Sequence, residues 1–328
     1  MIASKFLMSV VAIAAGLSSS AAFAAAMAIA VCVASSLPGA ALADSVDKSP
    51  SNETPVVKKA RKTGERKAKP DKNQYWLLKP TPLDQMRSFS TDRPTKSNVP
   101  YTVDAGHVQY ETDLTNFTHQ VTGPTRTDTL LLPNPTFKVG VTNNVDFEVN
   151  VPFAGVRTYN TAGLPSTSLW GIGDTYLRSK VNLWGNDGGD TAAAIIPYVK
   201  APSAPIGIGN GAVEGGLIGP VAFNLPNSFT LLLVPEIDVL KNNLNNDYHG
   251  NYVFDVNLSR EVIKNVTAYV ELWSDYNADP AARATLMSLD AAVAWVFLPN
   301  TQVDVGANFG LTSATPMVQI YAGLSQRF

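Results

Sequence analysis

The chain has little of what most enzymes use for chemistry. Cysteine occurs once in 328 residues, at Cys32, and histidine three times, at His107, His119 and His249. Cys32 sits in an apolar leader and follows Val31, where a lipoprotein anchor needs a small residue. It is expected to leave with that leader, so the mature chain has no thiol for a disulfide, a nucleophile or a thiolate metal site. Neither an H-E-x-x-H nor a G-x-S-x-G stretch occurs, which removes two familiar signatures of zinc and serine hydrolases. No enzymatic activity, cofactor or metal is expected. No long segment repeats its apolar residues at helical spacing. Self-similarity is too weak for a solenoid or propeller.

What is present divides by composition. Residues 1–43 read as a secretory signal: Lys5 is followed by an apolar and small-residue run from Phe6 to Leu42, ending in Ala41-Leu42-Ala43 before Asp44. Met8 or Met27 is an alternative start, and a retained transmembrane helix an alternative fate. Residues 44–74 hold nine Lys/Arg against five Asp/Glu and almost no large apolar residue. They read as a disordered basic periplasmic tether, with attachment to an anionic surface such as lipid headgroups or cell-wall polymer as a further expectation. Nucleic acid is not expected. With the leader and tether set aside, residues 75–328 carry 15 bases and 22 acids, a net charge of −7.

From about residue 103 the chain alternates at period two. In 145–153, Val145, Phe147, Val149, Val151 and Phe153 share one face, and Asp146, Glu148 and Asn150 the other. In 301–311, Val303, Val305, Ala307, Phe309 and Leu311 oppose Gln302, Asp304 and Asn308. Such segments lie near 103–118, 127–141, 145–157, 171–184, 191–200, 213–224, 229–240, 252–260, 266–275, 285–297, 302–311 and 317–328. Each is long enough to cross a bilayer when tilted. The last ends on Phe328 with a free carboxylate, a terminus typical of bacterial outer-membrane barrels, although Gln326 stands outward where an apolar residue is usual.

Connections counted back from Phe328 alternate in length. The neighbourhoods 298–301, 261–265, 225–228, 185–190 and 142–144 are short, whereas 276–284, 241–251, 201–212, 158–170 and 119–126 are longer, with only 312–316 breaking the trend. Short periplasmic turns and long outer loops are what a barrel requires. The expected fold is all-β: a transmembrane up-and-down antiparallel β-barrel of about twelve strands, with ten or fourteen as alternatives. A secreted β-sandwich or β-helix is the competing architecture. Trp170 and Trp184, with Phe229 and Phe297, are candidates for the interfacial girdles.

Several motifs in order resemble the family named for a MetA pathway of phenol degradation. They are 170–189 (WGIGDTYLRSKVNLWGNDGG), 194–202 (AIIPYVKAP), 213–217 (VEGGL) and 321–328 (YAGLSQRF), with 89–94 (FSTDRP) and 99–107 (VPYTVDAGH) as an amino-terminal signature. The resemblance implies an outer-membrane barrel labelled a transporter. It implies location and fold more firmly than substrate.

Inward parity then places Glu111, Asp113, Asp146, Glu148, Asp174, Glu214, Glu236, Asp238, Asp255, Glu271, Asp290 and Asp304 in the lumen, facing Lys138, Arg178, Lys180, Lys200 and Arg327. In so narrow a barrel these charges pair or line water. They either stiffen the barrel or select solutes; Glu148, Asp174, Arg178, Lys180, Lys200, Glu214, Glu236, Asp238, Glu271 and Asp290 are the selectivity candidates. Tyr176, Tyr198, Tyr269, Trp273 and Tyr321 share that parity and would suit an aromatic or apolar solute. Residues 75–102 are expected to pack in or under the periplasmic mouth, with Asp92, Arg93, Tyr101, Asp104 and His107 as candidate plug residues. The expected function is passive uptake of a small solute. A closed structural or adhesive barrel and a lipid-modifying enzyme are the alternatives. Expected partners are outer-membrane lipids, a small-molecule solute and, through the strand ending at Phe328, the barrel-assembly machinery.

Overall fold

The computed structural model describes residues 71–160 and 166–328. The expected signal and all but the last residues of the expected tether lie outside the described residues. The described part is almost wholly β. Its strands are β1 (Val108–Thr122), β2 (Thr125–Leu131), β3 (Asn134–Thr142), β4 (Val145–Asn150), β5 (Phe153–Asn160), β6 (Thr167–Ile172), β7 (Thr175–Trp184) and β8 (Thr191–Ala201). They continue with β9 (Glu214–Ile218), β10 (Val221–Leu225), β11 (Phe229–Lys241), β12 (Tyr248–Ile263), β13 (Val266–Asn277), β14 (Ala284–Leu298), β15 (Thr301–Gly310) and β16 (Val318–Arg327).

All sixteen belong to one antiparallel sheet, closed where β16 pairs with β1. Four wall positions are each shared by two collinear strands (β2 with β3, β4 with β5, β6 with β7, β9 with β10), so the barrel has twelve staves. Its faces are inverted relative to a soluble protein. Val305, Phe309, Val293, Trp295 and Ile320 point outward and are exposed, whereas Asp290, Asp304, Asn308 and Gln302 point inward and are buried. A sheet closed on itself with an apolar outer belt is the β form that hydrocarbon accepts.

The turns at Asn143-Asn144, Lys264-Asn265 and Pro299-Asn300 are tight and lie at the same end as Phe328. Asn265 takes a left-handed φ of 64° to close its turn. Longer connections join β8 to β9, β11 to β12, β13 to β14 and β15 to β16 at the opposite end. One expectation fails there. Residues 119–126 do not form a long outer loop: β1 runs on to Thr122 and turns through Gly123-Pro124 into β2, with His119 opposite Asp128. Polar inward residues such as Gln120 hid the end of the strand, because near the mouth the lumen face is as wet as a loop.

The stave interruptions fall at proline, which lacks a ladder N–H, or at glycine, which weakens a strand. Pro133 breaks stave two, Pro152 stave three, Gly173-Asp174 stave four and Gly219-Pro220 stave six. The first three are neighbours, stitched by Phe153 N donating to Pro133 O (2.9 Å) and Gly173 N to Pro152 O (2.7 Å). They form a crease across the wall, continued on β1 by the register shift between Asp113 and Thr115. Above it, β2, β5 and β6 form a flap. β6 ends the sheet path: among the described residues its far edge pairs with no strand. Pro205, Gly207 and Ile208 of the β8–β9 connection cover that edge instead, in contact range of Gly171 and Leu169.

Candidate functional site in the barrel lumen

The lumen is not a water-filled bore at its periplasmic half. Residues 71–107 enter it before β1 begins. They lack alternation and are rich in polar side chains, so they form no stave. Their backbone groups are met by inward-pointing side chains of the wall.

The root of this segment is organised around Asp104, which is fully buried. Its carboxylate accepts from Arg87 N (3.2 Å) and Arg327 Nη1 (3.2 Å), with Lys72 Nζ at 3.5 Å. Arg87 in turn donates to Thr102 O (2.6 Å) and to Asn143 Oδ1 (2.7 Å) in the first periplasmic turn. Gly140 on β3 allows this approach, since a Cβ there would overlap the Asp104 carbonyl. Asp187, in the turn after β7, takes Lys72 at 2.7 Å. Burial alone would raise the Asp187 carboxyl, but bonds from Lys72 and Asn143 and the nearby Arg87 charge hold it below its ordinary value. His107 lies between Phe328 O (2.9 Å) and Thr81 O (2.7 Å), so it ties the segment to the closing strand. Tyr101, with Val99, packs on an apolar wall patch of Ala192, Ile196, Ile218, Ala222, Leu232 and Val234.

The tip of the segment, residues 91–98, reaches the middle of the lumen. Asp92 pairs with Lys138 and, at 2.8 Å, with Lys180. Desolvation pushes the Asp92 carboxyl up, but the two ammonium groups outweigh it and hold the group well below the usual carboxylate range. Arg93 donates Nη1 to Asp113 (2.6 Å), and Nη2 (2.7 Å) and Nε (3.1 Å) to Asp304, across the β1–β16–β15 wall. Burial works against that guanidinium, and the two carboxylates more than restore its charge. Lys96 meets Asp290 at 3.0 Å and lies 4.2 Å from the centre of the Trp273 ring. Glu271 accepts Lys96 N (3.0 Å), Ser97 N (3.2 Å), the Ser97 hydroxyl and Asn257 Nδ2 (3.0 Å). Glu111 accepts the backbone N–H groups of Asp92 and Arg93.

Of the selectivity candidates, Glu148, Lys180, Glu271 and Asp290 therefore surround the tip. Glu148 is fully buried, 3.5 Å from Lys180, and lines with Arg178 a chamber of about 130 Å³ beside the tip. Asp174, Lys200 and Glu214 form a separate group nearer the outer end, where Lys200 meets Glu214 at 2.6 Å and Asp174 at 3.2 Å. Asp238 and Glu236 stand apart on β11; Tyr198 Oη donates to Asp238 at 2.6 Å. Arg87, Lys96, Ser97, Asn143 and Asn186 were not singled out from sequence, because no periodicity marks a partner chosen by an irregular segment. A second cavity, of about 550 Å³, opens at the periplasmic end between Met86, Phe89, Tyr101 and the Asn186–Gly188 turn. All three histidines are engaged, His119 by Asp128 (2.6 Å) and His249 by Asn242 (2.8 Å). None faces a serine nucleophile among the described residues.

An outward apolar belt, a polar interior, and turns and loops sorted to opposite ends define a β-barrel of the bacterial outer membrane. The chain belongs to the family described as "Putative MetA-pathway of phenol degradation", whose profile matches residues 91–328. No curated protein sequence matches it. Among solved structures it is similar to the COG4313 outer membrane channel from Pseudomonas putida F1, with a TM-score of 0.54 and 14% identity over 68% of this chain and 94% of that chain. It is similar at lower TM-scores to the CymD monoaromatic hydrocarbon channel (0.39, 9% identity, 67% and 87% covered) and to the β domain of the Bordetella autotransporter BrkA (0.47, 12% identity, 67% and 98% covered). The first of these supports the fold; the other two lie too far away in shape to add to it.

Proposed function

We propose that this protein is an outer-membrane channel for passive uptake of a small apolar or aromatic solute, with residues 71–107 as a plug that shuts the straight aqueous path. The observation that carries this reading is a pair of opposite properties, a closed aqueous path at mid-lumen and an open strand edge above it toward the loops. Mid-lumen is crossed by the tip and its ion pairs with Asp113, Lys138, Lys180, Asp290 and Asp304, whereas the wall has its one unpaired strand edge, among the described residues, at β6. A hydrophilic solute meets buried ion pairs that are costly to separate. The 130 Å³ chamber beside the tip is lined by charged and polar side chains, among them Glu148, Lys138 and Arg178. An apolar solute dissolved in the outer leaflet meets Leu169, Trp170, Ile172 and Ile206, all exposed around the β6 edge. Among the described residues, no strand ladder has to break there for the flap to part from the β8–β9 connection. The family's association with phenol degradation and the description of the Pseudomonas putida barrel as a channel agree with this assignment.

The test is a protein beginning at Tyr101, reconstituted in planar bilayers and expressed in a deletion strain. Single-channel conductance should rise, because the tip and Arg87 are gone while the wall is intact. Unchanged conductance would sink the plug assignment. Unchanged aromatic-solute uptake in the deletion strain, with or without the gene, would favour a closed structural barrel.

A further inference from the structure

The amino-terminal segment does more than enter the lumen. Before it turns inward it makes a small hairpin, in which Trp76 bridges Lys79 and Leu77 N donates to Val141 O (2.8 Å) at the periplasmic end of β3. That hairpin lies against the rim of the barrel and shows apolar side chains to the outside: Trp76, Leu77 and Leu78 are 48%, 43% and 75% exposed. A solvated turn has no reason to carry three such residues in a row.

The place where they stand explains them. Around most of the periplasmic rim the wall supplies its own large apolar endings: Trp184 on β7, Ile263 on β12, Leu298 after Trp295 and Phe297 on β14, and Phe328 after β16, all exposed. The rim at the β3–β4 turn does not. It ends in Thr142, Asn143 and Asn144. Trp76 bridges Thr142 at that gap, so the hairpin continues the apolar belt where the staves fall short. Lys79 stands beside it, 5.5 Å from the Tyr75 ring centre. Lys72 is held by Asp187, and the other eight Lys/Arg of residues 44–74 precede the hairpin in sequence.

We propose that residues 75–79 are a membrane foot. Trp76, Leu77 and Leu78 seat in the interfacial region of the periplasmic leaflet, and the adjoining basic residues meet its anionic phospholipid headgroups. The foot fixes the plug's root to the bilayer, so a tip that leaves the lumen swings about an anchored base rather than being lost to the periplasm.

The test uses the full chain with Cys32→Ser and Leu78→Cys, labelled with an environment-sensitive fluorophore and reconstituted into vesicles of phosphatidylethanolamine and phosphatidylglycerol. Position 78 is exposed, so the barrel should fold, which its heat-modifiable gel mobility checks. Val305→Cys, on the belt, is the lipid-facing control and Asp84→Cys the aqueous one. Phospholipids brominated near the headgroup should quench the label at 78 at least twofold more than lipids brominated near the chain end, and iodide should reach it less than it reaches position 84. Iodide access equal to that at 84, with no quenching by either brominated lipid, would overturn the proposal. Replacing phosphatidylglycerol by phosphatidylcholine should reduce the headgroup-level quenching; an unchanged value would remove the electrostatic half of it.

Discussion

Arg93→Ala is the sharpest test of how the lumen is held shut. Arg93 makes three bonds to two carboxylates, Asp113 and Asp304, whose side chains are 5% and 0% exposed. Removing the cation leaves both acids buried and facing each other across the tip. Breaking a buried pair from one side costs about 3–5 kcal/mol. At about 1.4 kcal/mol per factor of ten, the seated tip would lose about a hundredfold to four-thousandfold against displaced positions. The lower end applies here, because water can reach a site whose arginine keeps 14% exposure, and Asp113 still has Asn116 and Asn134 as donors. Asp92, Lys96 and Ser97 stay bound, each by charge-assisted bonds worth about 1.5–3 kcal/mol. The expected result is therefore more frequent and longer openings in planar bilayers rather than a permanently open pore. Gly323→Val offers an independent route to the same state, since a Cβ at Gly323 would overlap the Arg93 guanidinium. The double variant should add little to either alone. Wild-type opening statistics in a correctly folded Arg93→Ala protein would refute the tip as the element that limits flux.

Three further outcomes follow from the same geometry. Asp92 is held below its ordinary value of 3.8 by Lys138 and Lys180; a carboxyl held low contributes at any pH above its ordinary value and loses that only as pH falls toward the lowered one. Asp92→Asn should thus raise open probability by a margin that is constant from about pH 8 to about pH 5 and shrinks only below about pH 4, read from paired conductance traces. A margin that collapses between pH 7 and 5 would assign the latch to another group. Leu169→Cys with Gly207→Cys, joined by a short bis-maleimide that adds to both thiols, should abolish uptake of a radiolabelled aromatic solute and leave ion conductance unchanged. Loss of both, or of neither, would contradict access past the β6 edge. Deleting Phe328 removes two backbone bonds with Val108 and one His107 contact at the closing seam. At about 0.5–1.5 kcal/mol net per bond, the folded form on an unboiled gel should disappear several degrees lower; an unshifted transition would show that closure does not depend on the last residue.

Much of the wall was legible before any coordinates, because a barrel imposes one simple rule on every stave. Apolar residues must alternate with polar ones at period two, as in Val303, Val305, Ala307 and Phe309 against Gln302, Asp304 and Asn308. The same parity names the inward acids and bases without knowing their partners. The stave breaks were half legible. Pro133, Pro152 and Pro220 stand in plain view, but their alignment into a crease depends on how neighbouring staves are staggered.

By itself, then, the sequence determined the class of fold, the direction of each side chain and the sorting of turns from loops, since all three follow from local alternation and chain length. Tertiary structure decided the rest. Arg93 meets Asp304 across a separation of 211 residues and Lys96 meets Ser288 across 192, and nothing local in residues 91–98 selects those partners. They are chosen because closing the cylinder puts opposite walls within reach of one irregular segment, and buried charges must find counter-charges wherever closure leaves them. The edge of β6 that meets no strand among the described residues has the same origin. It exists because the ring closes through β7 and β8 below, while the flap hangs from β1 by β2 and β5 and its last strand, β6, meets no further described strand.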